Sequence, residues 1–253
     1  MPADSSPSPF DPVVLHAPAK LTLSLRITGV RPDGFHTLDA EMVTLTLADR
    51  LRLSPGSGLS VEGELNRLGD GGDNLVTRAL ALVGRHAAVH LTKNIPAGAG
   101  LGGGSADAAA ILRWAGFGDL EAAARLGADV PFCLIGGRAR VTGIGEGIHP
   151  LPYRPIDLTL LTPPIGASTP AVYARWDAMG GPTGALGNDL EPAALAEVPD
   201  LAGWRDRLGD ASGQQPRLAG SGSTWFVEGH FPGEGHRLVS TVPAEGAAEC
   251  PDE

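Results

Sequence analysis

At 253 residues, with 42% hydrophobic and 5% aromatic content, the chain can bury one large core or two modest ones, and two domains are expected. A formal net charge of -10 argues against a nucleic-acid partner, which would call for a basic face, and no apolar run reaches the roughly 18 residues of a membrane span. The two cysteines, Cys133 and Cys250, suit reduced cytosolic thiols rather than a disulfide framework, and they are too few for a cysteine metal site.

Met1 to Pro9 has no positive cluster and no apolar h-region, so it reads as a disordered lead-in rather than a signal peptide, and a cytoplasmic location is expected. Val13-Val14-Leu15 opens a strand, His16 to Lys20 reads as a break carrying one lysine, and Leu21, Leu23, Leu25 and Ile27 then alternate with polar residues as in a half-buried strand. Arg31-Pro32-Asp33-Gly34 is a turn signal that exposes Phe35 and His36 on a loop. Val43, Leu45 and Leu47 alternate in the same way, and Arg50 to Leu53 is expected to pair with them, so the chain begins as antiparallel sheet. Gly69 to Asp73 is a loop, and Asn74 to His86 is a helix with Leu75, Val76, Ala79, Leu80 and Val83 on its apolar side.

Ala88 to Lys93 alternates as a strand, and Ser105 to Leu112 is rich in strong helix formers. Between them, five of the seven residues from Gly98 to Gly104 are glycine, interrupted by Ala99 and Leu101. A backbone so free of side chains at a helix N-terminus can hold a large anion, because the first four N–H groups lack helical partners and the helix dipole is positive there. Ser105 can cap this helix or touch the anion. Net negative charge would repel phosphate, so binding must come from local N–H groups, a few cationic side chains and a bound cation.

Asp119 to Leu126 is a short helix with Gly127 as its C-cap, and Pro131 in the first turn of the next helix puts Asp129 at that helix's edge. Arg138 to Gly143 is a strand followed by a turn to Gly147. Three prolines between His149 and Pro155 place a domain boundary there, dividing the chain into 1-150 and 151-253. Beyond it come a strand (Ile156 to Leu161), helices (Pro170 to Met179 and Leu201 to Leu208) and a Gly/Ser turn into a strand (Leu218 to Val227), the order of an α+β domain. Gly229 to Glu253 is rich in Gly, Pro and Glu and is expected to be partly disordered.

Three phosphate-binding patterns compete for the glycine run. The Walker A pattern fails, because no lysine follows the glycines. The dinucleotide fingerprint is formally met by Gly98, Gly100 and Gly103, with Asp119 or Glu121 near the ribose-binding distance, but Asn94-Ile95-Pro96 intervenes and the upstream region reads as antiparallel strands. The third pattern fits Pro96 to Ser105, which resembles the Pro-x-x-x-Gly-Leu-Gly-x-x-x-Ser motif of the GHMP kinase superfamily. Further stretches stand in register with it: Pro18 to Leu21, Arg31 to His36, Asn74 to Val76, Gly127 to Pro131, Gly143 to Glu146, Asn188 to Glu191 and Gly220 to Ser223. Together, from about Leu15 to Val227, they resemble the branch of that superfamily that phosphorylates a cytidine-diphosphate-linked methylerythritol in the non-mevalonate isoprenoid pathway.

This resemblance implies an α+β, two-domain GHMP kinase-like fold, with an N-terminal ribosomal S5 domain 2-like βαβ domain that binds ATP and a C-terminal ferredoxin-like domain. It implies Asp129 as the catalytic aspartate that orients the acceptor hydroxyl and accepts its proton, and Lys20 as the ammonium beside it that offsets charge on the moving phosphoryl group. Phe35 and Tyr173 match aromatic residues that stack on the cytosine ring, His36 the histidine on its edge, and Thr22 and Thr169 substrate-side positions. Asn74 and Lys93 match the adenosine end of ATP, while Pro96, Gly98, Gly100, Leu101, Gly102, Gly103, Gly104 and Ser105 would surround its phosphates. Asp107 reads as a first-turn helix acid. Mg²⁺ should enter with ATP, with no resident metal.

The chain departs from the family pattern at Thr22 (usually Asn), Ala106 (usually Ser) and Phe35 (usually Tyr), and it ends early, so a terminal helix is expected to be missing. The alternatives are another GHMP small-molecule kinase or a non-catalytic GHMP-fold binding or regulatory protein. A monomer or weak homodimer is expected, with no nucleic acid or membrane partner.

Overall fold

The structure, a computed structural model, describes residues 11-63 and 74-244. The expected lead-in, the Gly69 to Asp73 loop, Cys250 and the last nine residues lie outside the described residues.

The frame is a long hairpin of β1 (Val13–Val30) and β2 (His36–Ser54), paired in antiparallel register from Val13 against Leu53 to Val30 against His36. The expected break at His16 to Lys20 is instead a register shift inside β1: Pro18 has no N–H to donate, so the ladder slips between Pro18 and Lys20 without ending the strand. Arg50 to Leu53 likewise does not pair with Val43 to Leu47, because both belong to β2. From Ala17 to Leu23 every residue of β1 is buried, Lys20 and Thr22 included, so this part is covered on both faces rather than one.

Three strands share the far edge of β2. β5 (Arg138–Gly143) pairs along Leu38 to Val43, β10 (His236–Val242) meets Thr44 and Leu45, and β4 (Ala88–Thr92) pairs along Arg50 to Ser54. β6 (Gly147–Pro150) extends β5. β3 (Gly58–Glu62), whose Leu59 and Val61 carry a weak alternation the sequence reading passed over, lies parallel to β4 with α1 (Leu75–Leu82) between them in sequence. The glycine loop therefore follows a β-α-β unit, as the family resemblance implies and unlike the antiparallel run read from the strand pattern alone.

α2 (Gly103–Trp114) is buried from Ala106 to Leu112 and packs its small side chains on β1, α1 and α4 (Val130–Ile135); α3 (Leu120–Ala124) precedes α4. Asp119 caps α3, but its C-cap is Arg125, and Gly127 lies beyond it. In the remaining chain, β7 (Asp157–Leu161), β8 (Arg217–Leu218), β9 (Trp225–Glu228) and β10 form an antiparallel sheet in the order β10-β7-β9-β8. α5 (Thr169–Ala178), α6 (Glu191–Glu197) and α7 (Leu201–Ser212) fall between β7 and β8, which gives the expected α+β order plus α6.

β10 is an ordered strand within the stretch after Gly229 that was expected to be partly disordered. Its Val239 and Thr241 are buried, and it pairs with β7 on one side and β2 on the other, joining both halves into one ten-stranded sheet. No helix among the described residues is long and apolar enough to cross a membrane.

Candidate active site

The glycine loop borders a cleft of about 860 Å³, where the middle of β1, one side of α5, the end of β4 and the N-termini of α2 and α4 converge. Gly98, Gly100 and Gly102 all have positive φ, which points Ala99 and Leu101 into the core, each 1% exposed. The loop is held by its carbonyls: the Lys20 N–H donates to Leu101 C=O (3.0 Å) and the Thr224 N–H to Ala99 C=O (3.2 Å). From Gly98 to Ser105 no backbone N–H donates within the described protein. Gly102, not Ser105, caps α2, so the Ser105 hydroxyl is uncommitted and borders the cleft. Two glycines are needed for space as well as conformation. A Cβ on Gly100 would meet Ala219 C=O at 2.4 Å, and one on Gly102 would meet Lys20 Cγ at 2.7 Å.

Lys20 and Asp129 come together at this loop, with Nζ 3.3 Å from Oδ2. Asp129 occupies the N-cap position of α4, but its side chain makes no capping bond, which leaves the carboxylate for Lys20 and the cleft. The lysine side chain is 7% exposed and the carboxylate 31%, so the acid faces the opening. Lys20 Nζ also donates to Thr22 Oγ1 at 3.2 Å. The Thr22 hydroxyl thus serves the lysine.

At the other end of the cleft, Phe35 is 58% exposed on the β1-β2 turn. His36 is not exposed as expected: its side chain is 10% exposed and begins β2. Its ring lies 4.8 Å from Tyr173 and 5.5 Å, edge-on, from Trp176, and Nε2 donates to Asp177 Oδ1 at 2.8 Å. Burial, helped by the Asp129 charge, pushes the Tyr173 phenol up to about 12, so it stays neutral. Thr169 shares a 2.8 Å hydrogen bond with Ser221 at the rim. Sequence reading missed Asp177 and Trp176, for which spacing gave no signal.

Lys93 also borders the cleft but is committed to Asp49 and to Asp107, the latter at 2.7 Å. Burial opposes its charge, yet the two carboxylates outweigh that and raise its pKa. Asp49 Oδ1 accepts from the N–H groups of Asn94 (2.6 Å) and Ile95 (2.8 Å), which fixes the chain where β4 leads into the glycine loop. Asp107 is not in the first turn of α2. It lies deeper and is 3% exposed, and burial, joined by the like charge of Asp49, pushes it up to about 7 against the pull of Lys93. Asn74 does not border the cleft; its Oδ1 caps α1 by accepting from the Val76 N–H. Ala106 is buried, away from the cleft. Among the described residues, no three His, Cys, Asp or Glu side chains gather at metal-binding distance.

Residues 74-137 match the model for the GHMP kinases N-terminal domain. A protein of Paracoccus denitrificans named 4-diphosphocytidyl-2-C-methyl-D-erythritol kinase is 42% identical, over 83% of this chain and 84% of that protein. One of the same name from Ruegeria pomeroyi is 39% identical, over 90% and 92%. The solved structure of a 4-(cytidine 5'-diphospho)-2C-methyl-D-erythritol kinase superposes with a TM-score of 0.71 at 30% identity, covering 90% of this chain and 99% of that one. With a cradle of free N–H groups, an acid and an ammonium at its mouth, and this likeness over most of its length, the chain belongs to the 4-diphosphocytidyl-2-C-methyl-D-erythritol kinase family of the GHMP kinases.

Proposed function

We infer that this chain is an ATP-dependent kinase that phosphorylates the 2-hydroxyl of 4-(cytidine 5'-diphospho)-2-C-methyl-D-erythritol in non-mevalonate isoprenoid precursor biosynthesis. The observation that carries this reading is the Lys20–Asp129 pair, 3.3 Å apart beside a glycine loop whose N–H groups have no protein partners. Gly98 to Ser105 take the phosphates of ATP by main-chain donation, with Lys93 and Pro96 toward the adenosine side.

In the transfer step Asp129 orients the acceptor hydroxyl and takes its proton as the oxygen bonds to the γ-phosphorus, the bridging P–O bond breaks and ADP leaves. Lys20 offsets the charge on the transferring group. Phe35 and Tyr173 take the faces of the cytosine ring and His36 its edge, with Thr22 and Thr169 on the acceptor side. Mg²⁺ would enter with ATP and neutralise phosphate charge, and the Ser105 hydroxyl bordering the cleft is the oxygen donor of this chain that fits it, since Mg²⁺ needs only one or two protein ligands.

We retain the division at residues 150/151, a cytoplasmic location and a monomer or weak homodimer as parts of this proposal. ADP release from Mg-ATP, measured with the cytidylylated methylerythritol beside mevalonate, homoserine and galactose, tests the whole. Turnover confined to the first acceptor is expected. Preference for another acceptor points to a different GHMP kinase, and no turnover with any of them to a binding protein.

A further inference from the structure

The Asn188-Asp189-Leu190-Glu191 stretch has no part in the chemistry above, yet Asn188 is 3% exposed and both amide hydrogens and the amide oxygen are engaged. Nδ2 donates to Leu218 C=O (2.9 Å) and Gly220 C=O (2.7 Å), and Oδ1 accepts from the Leu190 N–H (3.0 Å). The same segment is stitched to β1, the strand of Lys20 and Thr22: the Leu25 N–H donates to Gly187 C=O at 2.7 Å and the Asp189 N–H to Leu25 C=O at 2.9 Å. Asn188 thus ties the loop at Gly220 to the strand that carries the transfer lysine.

What that loop presents to the cleft follows from peptide geometry. The Gly220–Ser221 peptide is trans, so its C=O and N–H point in opposite directions. With the Gly220 carbonyl held inward by Asn188, the Ser221 N–H points away from Asn188. Neither it nor the Gly220 N–H has a partner in the described protein, and both residues border the cleft. A Cβ on Gly220 would lie 3.8 Å from Lys20 Nζ, which puts this peptide beside the transfer centre. Both lysines of the cleft are already paired with carboxylates, so oriented N–H dipoles carry more of the charge on the phosphates than in a site with free cations.

We propose that Asn188 is a positioning residue: by holding the Gly220 carbonyl it aims the Ser221 N–H at the transferring phosphoryl group, across from Lys20. This rests on the kinase reading above. Asn188→Asp keeps the shape and the acceptor for Leu190 but sets a carboxylate oxygen against two carbonyls. The expected result is a fall in kcat of about 10-fold to 10²-fold, approaching the loss of one transition-state donor, with KM for both substrates within about threefold. Binding of ADP with aluminium fluoride, a mimic of the transferring group, should weaken while ADP alone binds as in wild type. Because a buried acid facing carbonyls is favoured in its protonated, donating form, lowering the pH should partly restore kcat relative to wild type.

Asp189→Asn, which disturbs only the bonds to Arg26, Ile27 and Gly184, should lower thermal stability and leave kcat unchanged. Should Asn188→Asp not fold, Asn188→Ser is read by the same split. Wild-type kcat in the Asn188 variant, or a drop matched by equal loss of ADP affinity and thermal stability, overturns the proposal while the wild-type acceptor panel stands. If wild type prefers another acceptor, the substrate reading fails but the Asn188 split is measured with that acceptor. If wild type turns over none, both fail.

Discussion

Two lysines border the same cleft in opposite surroundings. Lys20 faces a single carboxylate, Asp129, that is about one third exposed and makes no other protein bond, whereas Lys93 sits between Asp49 and Asp107, both buried. A buried cation with two buried carboxylates has no charge to spare, and Asp49 spends its second oxygen on the N–H groups of Asn94 and Ile95. The same residue types therefore do two jobs a few residues of loop apart: chemistry where the acid opens to the cleft, and architecture where it does not.

Substitutions sharpen that contrast. Asp49→Ala takes one of its two carboxylate partners from the buried Lys93 and strands two backbone donors, so unfolding in denaturant should show a loss of about 3–5 kcal/mol. Stability close to wild type would mean the Lys93 cluster does not hold the loop. Lys20→Met should instead cost about 10²–10³ in kcat, the scale of one lost transition-state donor. A variant that loses only nucleotide affinity would move Lys20 out of the transfer step.

Asp107 adds a pH signature. Its pKa in the fold is raised from 3.8 to about 7, so the folded state holds this proton more tightly than the unfolded chain. The resulting stabilisation is complete below about pH 4 and is lost as pH rises through about 7. Thermal melts of Asp107→Asn should therefore decline less between pH 5 and 8 than those of wild type; parallel curves would count against a protonated Asp107. The smallest effect is expected at the open end of the cleft. Phe35→Ala should raise the acceptor KM by about 3-fold to 10-fold, the worth of one aromatic stacking contact, and leave the ATP KM alone. An unchanged acceptor KM would remove Phe35 from base recognition.

The same division marks what could be read from the sequence. The strand, glycine loop and helix from Ala88 to Leu112 were legible because loop and anion site are local and made of main chain. The Pro18 region and β2 were misread because a bulge and a very long strand look locally like a break and a pair. β10 was hidden in a Gly- and Pro-rich tail, although its pairing with β2 and β7 joins the sheet. Asp49 and Asp177 left no trace, since each acts on residues far along the chain, Asp49 on Lys93 and Asp177 on His36. Lys20, Asp129, His36 and Tyr173 were reached through the family resemblance, and the fold brings them into one cleft.

The central claim is that Asp129 acts on the acceptor hydroxyl and not on the nucleotide. Asp129→Asn, assayed for turnover and titrated with a non-hydrolysable ATP analogue, tests it most directly. The account predicts kcat lower by about 10²-fold or more, with analogue affinity within about twofold of wild type. Near-normal turnover by this variant would contradict it.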